Sequence, residues 1–223
     1  MSKSPVTVIV GMGPGLSAAL AERFASAGHH VVGLARTPGK SADHIAALNA
    51  RGLQVEVRTA DAGDLAALHT ALASIERDIG PVEVLIYNAY RASYAPPSAV
   101  RPEDVVNDFR VNVAGALAAT QAVLPGMRHR GRGTVLFTGG GLALDPTGWL
   151  EASSLAIGKA GLRSLALTLN KELSPLGVHV GTVTVAGMIK PGTAFAPAII
   201  AAAFWEMHQA SATTRPAELV YQG

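Results

Sequence analysis

Three glycines, Gly11, Gly13 and Gly15, stand between an apolar run and an amphipathic stretch, and this arrangement suits phosphate binding. Glycines let the backbone turn tightly and approach a pyrophosphate, while the first turn of a following helix supplies unpaired N–H groups. The spacing is not G-x-G-x-x-G, and the alternative is a plain glycine-rich connection without a ligand. The context favours a dinucleotide-binding turn whose contacts are Gly11, Met12, Gly13, Pro14, Gly15 and Leu16.

The end of the next apolar run indicates which dinucleotide is bound. An Asp or Glu about 20 residues beyond such a turn would bind a ribose 2′-hydroxyl. Here the chain reads Gly33-Leu34-Ala35-Arg36-Thr37 and carries no carboxylate. Arg36 suits a charge-assisted clamp on a 2′-phosphate, with help from Thr37 and Lys40. The pattern favours NADP(H) over NAD(H); the alternative is that Arg36 is a solvated loop residue.

Apolar runs alternate with amphipathic stretches along the chain, as expected of successive strands and helices. The run Val6–Val10 is rich in β-branched residues, which is typical of a strand buried on both faces. The predicted strands are Val6–Val10, Val31–Ala35, Gln54–Thr59, Val82–Tyr87, Gly133–Thr138, Val178–Val185 and Glu218–Tyr221. The predicted helices are Leu16–Ala27, Ser41–Ala50, Leu65–Ile79, Glu103–Arg128 with a break near Asn112 or Gly115, Ser154–Leu173 and Pro197–Gln209.

This alternation predicts an α/β fold: a single Rossmann-type domain over residues 1–223, with a doubly wound parallel sheet of about seven strands and helices on both faces. The length of 223 residues and the hydrophobic content of 49% suit one such core. Two long loops, Tyr90–Pro102 and Gly187–Pro197, follow strands. They should lie at the carboxyl edge of the sheet, where ligands bind in such folds.

Composition and charge exclude several classes of function. The chain has no cysteine, which excludes disulfides and thiolate chemistry. Its formal net charge of +2 and scattered basic residues predict no nucleic-acid partner. None of the seven histidines has metal-ligand spacing, so no metal site is predicted. No apolar run reaches the length of a membrane span or signal peptide, so we expect a cytoplasmic protein without a membrane partner.

The chain resembles the short-chain dehydrogenase/reductase family from Val6 to about Tyr221. Gly11 and Gly15 match the family's first two glycines, and Ser17 stands at its third. The resemblance implies an adenine contact at Asp61 with Ala62, and the start of the family's Asn-Ala-Gly segment at Asn88 with Ala89. It also implies that Asn112 kinks the long helix and holds a proton-relay water, and that Lys159 binds the nicotinamide ribose. Gly187 and Ile189 match the segment that contacts the carboxamide.

Two departures from the family pattern fall on the chemistry. The family's catalytic tyrosine, four residues before the lysine, is Leu155 here, and its serine corresponds to Gly140. Neither side chain donates a proton, whereas a positioned general acid contributes about 10²–10⁴-fold to a rate. Tyr90, in place of the glycine of Asn-Ala-Gly, is a candidate substitute acid. Other candidate acids are Tyr94, Asp145 and Lys159 itself. Alternatively, the loop residues only pack or face solvent, and the lysine only binds the ribose.

These features predict an atypical oxidoreductase that binds NADP(H) and acts on an activated carbonyl, imine or enone, because such substrates depend less on a protein acid. Two alternatives stay open: a catalytically silent NADP(H)-binding regulatory protein, and a non-redox lyase or isomerase on the same scaffold. In the family's layout, Trp149 and Leu150 before the lysine helix would wall the substrate pocket, which implies a small apolar substrate. Apolar residues on several faces of helices Glu103–Arg128 and Ser154–Leu173 predict a homodimer or homotetramer.

Overall fold

A computed structural model describes residues 4–211 and 214–223, which form a sheet of seven parallel strands. The strand order is β3-β2-β1-β4-β5-β6-β7. The strands are β1 (Val6–Val10), β2 (His30–Ala35), β3 (Val55–Thr59), β4 (Val82–Tyr87), β5 (Gly133–Thr138), β6 (Val178–Val185) and β7 (Glu218–Tyr221). The predicted doubly wound sheet is confirmed, and the direction of winding reverses between β1 and β4, where a ligand crevice is expected.

Seven α-helices in the described residues cover both faces of the sheet. They are α1 (Leu16–Ser26), α2 (Ala42–Ala50), α3 (Leu65–Asp78), α4 (Pro102–Phe109), α5 (Gly115–Arg130), α6 (Ser153–Leu173) and α7 (Pro197–Gln209). Side chains of the fully buried β1 alternate between two cores. Val8 packs in the core with α3, α5 and α6, whereas Ile9 packs in the core with α1, α2 and α7. The apolar run that predicts β1 therefore reflects burial on both faces.

The boundaries of several elements differ from the predicted ones by one or two residues. Strand β2 begins at His30 and β3 at Val55, each one residue from the predicted start. Helix α5 runs on to Arg130 because Gly131, with φ of 62°, ends it in the left-handed region. Single 3₁₀ turns carry too few residues to show a helical repeat in the sequence; they lie at Pro38–Ser41, Gly141–Ala143 and Ser174–Leu176.

The long helix after β4 is interrupted where the sequence predicts a break. A π-helical turn, Arg110–Ala114, separates α4 from α5. A competing hydrogen bond accounts for it, because the Tyr87 hydroxyl donates to the Val111 carbonyl. The Gly115 N–H then reaches back five residues instead of four. The turn contains the buried Asn112, whose side chain meets the loop after β4.

Candidate active site

The glycine turn between β1 and α1 depends on glycine at two positions. Gly11 and Gly15 have φ of 91° and 88°, in the left-handed region that glycine favours. A Cβ on Gly11 would lie 2.5 Å from the backbone nitrogen of Ala89, so a larger residue does not fit. The Gly11 and Met12 N–H groups both donate to the Leu34 carbonyl, and the Met12 side chain is buried. These contacts fix the turn and bring it close to the end of β4.

The first turn of α1 presents the donors that an anion needs. No side chain in the described residues caps this helix, and the Ala19 N–H donates to the Gly15 carbonyl. The N–H groups of Leu16, Ser17 and Ala18 therefore precede the first intrahelical bond and have no acceptor within the helix. Together with the positive end of the helix dipole, they suit the pyrophosphate of a dinucleotide.

A chain of hydrogen bonds joins the glycine turn to the ends of β4 and β5. The Asn88 amide donates to the Ser17 hydroxyl at 2.7 Å, and that hydroxyl donates to the Gly11 carbonyl at 2.7 Å. The Thr138 hydroxyl donates to the Asn88 side-chain oxygen at 2.8 Å. Asn88 therefore ties three strand ends together. The sequence indicates only that Ser17 is small enough for its position, whereas the structure shows that its hydroxyl locks the turn.

A cleft of about 800 Å³ opens at the carboxyl edge of the sheet beside this turn. Predicted cofactor residues that line it are Gly11, Met12, Gly13, Pro14, Arg36, Asp61, Ala62, Asn88 and Ala89. Arg36 is exposed, as is Thr37, which precedes the 3₁₀ turn after β2. Lys40 instead lines a separate cavity of about 440 Å³ beside Pro14 and Gly15. The structure thus brings Arg36 to the cleft and leaves Lys40 in the neighbouring cavity.

The loop after β6 is built around an aromatic ring. A Cβ on Gly187 would clash with the ring of Phe195, which packs edge-to-face on Tyr221 with 5.6 Å between ring centroids. Ile189 is partly exposed on the same loop. Neither Gly187 nor Ile189 is among the described residues that line the cleft. Their contact with a cofactor therefore stays a prediction.

Lys159 extends from α6 to the end of β5. Its ammonium donates to the Thr138 carbonyl at 2.7 Å. Burial lowers the pKa of Lys159 to about 8, because an ammonium group loses solvation there. The side chain is therefore mostly a cation at pH 7, yet it releases a proton more readily than an ordinary lysine.

The two glycines after β5 differ in what a side chain would meet. A Cβ on Gly140 would lie 3.5 Å from Lys159 Cε, an ordinary contact distance. A Cβ on Gly139 would lie 2.7 Å from the hydroxyl oxygens of both Thr182 and Thr184. A serine therefore fits at position 140, facing the lysine, and does not fit at position 139. The placement of the family's serine at Gly140 stays a prediction, and the contacts leave room for a side chain there.

A second hydrogen-bond network fixes the loop after β4. The Asn112 side chain accepts from the Arg91 N–H and donates to the Arg91 carbonyl, both at 2.8 Å. One turn earlier, the fully buried Asp108 accepts from Arg91 Nε at 2.8 Å. Its other oxygen accepts from the Ser93 N–H at 2.6 Å and the Ser154 hydroxyl at 2.7 Å. The sequence does not predict this role of Asp108. An acidic residue four positions before an asparagine is equally typical of a solvent-exposed helix face.

Comparison with known families agrees with this arrangement of turn, cleft and lysine. The sequence profile described as short chain dehydrogenase matches residues 5–198. The chain belongs to the short-chain dehydrogenase family.

The chain is similar in sequence to curated members of this family, two of which are described here by name. A very-long-chain 3-oxoacyl-CoA reductase from Aspergillus clavatus is 34% identical over 189 residues, covering 81% of this chain and 53% of the relative. A 2,3-dihydro-2,3-dihydroxybenzoate dehydrogenase from Bacillus subtilis is 27% identical over 179 residues, covering 80% of this chain and 68% of the relative. The chain spans about half the length of the 3-oxoacyl-CoA reductases that it matches.

Solved structures of the family share the fold of this short-chain dehydrogenase. A short-chain dehydrogenase from Rhodopseudomonas palustris superposes with a TM-score of 0.87 at 23% identity, over 98% of both chains. A metagenomic short-chain oxidoreductase in complex with NADP gives a TM-score of 0.86 at 22% identity, over 98% of this chain and 96% of that one. At these identities the likeness establishes the common fold alone.

The three loop residues that are candidate substitute acids have different surroundings in this short-chain dehydrogenase. The Tyr90 ring lies beneath the Lys159 ammonium, with 6.0 Å from Nζ to the ring centroid. The Tyr94 ring packs on Trp149, with 5.4 Å between centroids. Hydrogen bonds from the hydroxyl and N–H of Thr147 lower the pKa of Asp145. Asp145 is thereby held as a carboxylate and is the least suited of the three to donate a proton at neutral pH.

Neither a metal-binding cluster nor a membrane-spanning helix is found among the described residues. Within residues 4–211 and 214–223, no group of three or more His, Cys, Asp or Glu side chains is arranged to hold a metal ion. Over the same part of the chain, each helix is too short or too polar to cross a membrane.

Proposed function

We propose that this short-chain dehydrogenase binds NADP(H) and transfers a hydride between that cofactor and a small, largely apolar substrate. The proposal depends mainly on the glycine turn after β1. There Gly11 approaches Ala89 so closely that no Cβ fits. Beside it, the N–H groups at the start of α1 meet no capping side chain among the described residues. Donors in that arrangement suit a pyrophosphate.

The proposed contacts divide the cofactor among separate parts of the chain. The N–H groups of Leu16 and Ser17 would hold the pyrophosphate, and Asp61 would lie beside the adenine nucleoside. Lys159 would hold the nicotinamide ribose through its ammonium, which the Thr138 carbonyl already orients. The nicotinamide supplies a hydride when bound. The residues named above bind and orient the nicotinamide. The proton that completes a carbonyl reduction has to come from a group other than these residues.

The preference for NADP(H) depends on Arg36 at the rim of the cleft. A hydrogen bond to a charged group contributes about 1.5–3 kcal/mol, so Arg36→Ala should weaken NADPH binding roughly 10- to 100-fold. NADH binding should change little, because NADH has no 2′-phosphate. Fluorescence titration of both cofactors measures this difference. Lys40→Ala removes a nearby cation that lines the separate cavity and should have a smaller effect. Equal affinity of the wild type for NADPH and NADH would contradict the preference.

The proposed substrate is one whose reduction does not depend on hydroxyl groups at positions 140 and 155. Gly140 and Leu155 offer no hydroxyl, so the alkoxide formed from a plain ketone lacks a partner at both positions. An iminium already carries its charge, and a conjugated enone takes its proton later from water. Because relatives are named as 3-oxoacyl-CoA reductases, small ketones that carry a second carbonyl group nearby are the first candidates. Exposed Trp149 and Leu150 supply apolar surface for such a substrate.

A catalytically silent NADP(H)-binding protein is the second candidate, favoured by the loss of both hydroxyl positions. A screen for NADPH consumption across ketones, imines and enones separates the two functions. Consumption of NADPH with any substrate class would support the oxidoreductase. Tight cofactor binding without consumption across the screen would support the silent protein. Conversion of a substrate without a change in the redox state of the cofactor would instead indicate a lyase or isomerase.

A further inference from the structure

Tyr90 is the candidate acid that the structure places beside Lys159. It lines the cleft, and its side chain is 60% exposed. The Lys159 ammonium stands over its ring, with 6.0 Å between Nζ and the centroid. A cation over an aromatic face is attracted by the ring, so this contact favours the position in which Tyr90 lies near the lysine.

The backbone on both sides of Tyr90 is fixed, although its ring is exposed. On one side, the Asn88 N–H donates to the Val10 carbonyl, and the Asn88 side chain joins the turn network. On the other side, both backbone polar groups of Arg91 bond to the Asn112 side chain. The Cα of Tyr90 therefore has a defined position, and the side chain retains room to adjust to a substrate.

The other two candidates lack this relation to Lys159. Tyr94 packs on Trp149, and Asp145 is engaged by Thr147 on the loop after β5. A Cβ at Gly140 would lie against the Lys159 side chain, so the position without a hydroxyl is next to the lysine that Tyr90 faces. Tyr90 follows β4 and Gly140 follows the neighbouring parallel strand β5, so both lie at the same edge of the sheet, beside Lys159.

We propose that the Tyr90 hydroxyl donates the proton to the substrate oxygen during carbonyl reduction, a role that rests on the proposed function above. The carbonyl carbon accepts the hydride, the π electrons of the C=O bond move to oxygen, and that oxygen takes the Tyr90 proton as the phenolic O–H bond breaks. The Lys159 ammonium stabilises the remaining phenolate by its charge. Water at the exposed edge of the ring returns the proton to Tyr90 after the product leaves.

Two matched variants test this role. Tyr90→Phe removes the hydroxyl and keeps the ring over Lys159, and Tyr94→Phe makes the same change on the same loop. Reduction of an activated ketone, 2,3-butanedione, by NADPH should fall about 10²-fold or more in Tyr90→Phe, the contribution of a positioned acid. NADPH affinity, measured by fluorescence titration, should stay within about 2-fold of wild type. An equal or larger loss in Tyr94→Phe, or no loss in Tyr90→Phe, would overturn the proposal.

A measurement without turnover tests the contact itself. In the NMR spectrum, the ε-methylene protons of Lys159 should show a ring-current shift that disappears in Tyr90→Leu and persists in Tyr94→Leu. Retention of the shift in Tyr90→Leu would overturn the proposal even if activity were lost. Failure of the wild type to bind NADPH would overturn the proposed function instead. Wild-type NADPH binding without reduction of the ketone would overturn the role of Tyr90 and leave the cofactor-binding part of the proposed function intact.

Discussion

At the scale of single residues, the backbone at Gly140 bears most directly on the chemistry. Its φ of −164° and ψ of 151° are extended values that any residue adopts. A side chain there would meet Lys159 at an ordinary contact distance. Leu155 precedes Lys159 by one turn of α6 and therefore lies on the same helix face. Position 140 can therefore take a serine without rearrangement of the main chain, and a tyrosine at position 155 would start from the helix face that carries Lys159.

We expect the double change Gly140→Ser with Leu155→Tyr to raise the reduction of plain ketones by one order of magnitude or more. The serine would bond the developing oxyanion and the tyrosine would donate a proton, two functions that Gly140 and Leu155 cannot supply. The value of kcat/KM with NADPH and a plain ketone measures the gain.

Gly139→Ser is the matched control for this double change. Its side chain would press on Thr182 and Thr184, so it should lower the free energy of unfolding by about 1–3 kcal/mol without a gain in rate. A double variant that folds and binds NADPH but shows no gain would mean that the positions no longer hold the required geometry.

The sequence predicts the site residues that belong to local patterns. The glycine turn, Asn88 and Lys159 each follow a recognisable strand or motif, so their places at the sheet edge could be anticipated. Asp108 could not, because its partners lie 15 to 46 residues away and meet it only in the folded chain. Likewise, the spacing of Tyr90 and Tyr94 along the sequence does not show which of them lies near Lys159. Only the folded position of the lysine shows this.

At the scale of elements, α4 and the π turn pack closely on α6. A Cβ on Gly158 would lie 2.5 Å from Asn112 Nδ2, and one on Gly161 would lie 3.1 Å from the Phe109 ring. The sequence predicts a break near Asn112 but not its π form, because the Tyr87 bond that causes the extra residue comes from another element. The close approach leaves apolar side chains of both helices facing outward.

These outward side chains lead us to expect a homodimer or a homotetramer. Val106 and Phe109 on α4 and Ile157 on α6 are exposed, and burial against a second copy would remove their apolar surface from water. Light scattering at micromolar concentration should give a mass of two or four chains. Ile157→Glu should shift the mass towards the monomer, because an unpaired charge would enter the interface.

Ile199→Glu is the matched control for this association. Ile199 has the same exposure as Ile157 but lies on α7, so its replacement should leave contact through α4 and α6 intact. A monomeric wild type would contradict the expectation. Dissociation by Ile199→Glu without an effect of Ile157→Glu would place the interface on the other face.

At the scale of the whole molecule, the fold follows from patterns that span the chain. Alternating apolar runs and helical repeats require parallel strands, and right-handed crossovers place successive helices on both sides of the sheet. The sequence does not reveal which polar residues the completed core encloses. Three histidines near the amino ends of the strands, His29, His179 and His208, are buried in this way.

The buried histidines contact one another and neutral partners. His29 and His208 rings lie 5.7 Å apart, and their Nδ1 atoms bond the hydroxyls of Thr7 and Thr134. Burial, together with the neighbouring histidines and Arg215, lowers the pKa of His208 to about 4. Burial also lowers the pKa of His29, although Glu83 partly opposes this, and that of His179, whose Nδ1 has no hydrogen-bond partner in the described structure.

We expect this cluster to make the fold less stable in mild acid. The folded-state pKa of His208 lies below the 6.5 of an ordinary histidine, so the unfolded chain binds more protons between pH 6.5 and about 4. The free energy of unfolding is therefore largest above pH 6.5 and falls as the pH falls through that window. His208 alone should account for a loss on the order of 2 kcal/mol between pH 7 and pH 5, measured by urea denaturation at both values.

His208→Gln replaces the titrating ring with a neutral amide and should reduce the pH dependence by about that amount. His69→Gln makes the same change on the exposed face of α3 and should leave the dependence unchanged. The range from pH 7 to pH 5 lies above the pKa of ordinary carboxylates, so the difference between the two variants reports on the histidine. Equal wild-type stability at pH 7 and pH 5, or equal effects of the two substitutions, would show that His208 takes up its proton in the folded chain as well.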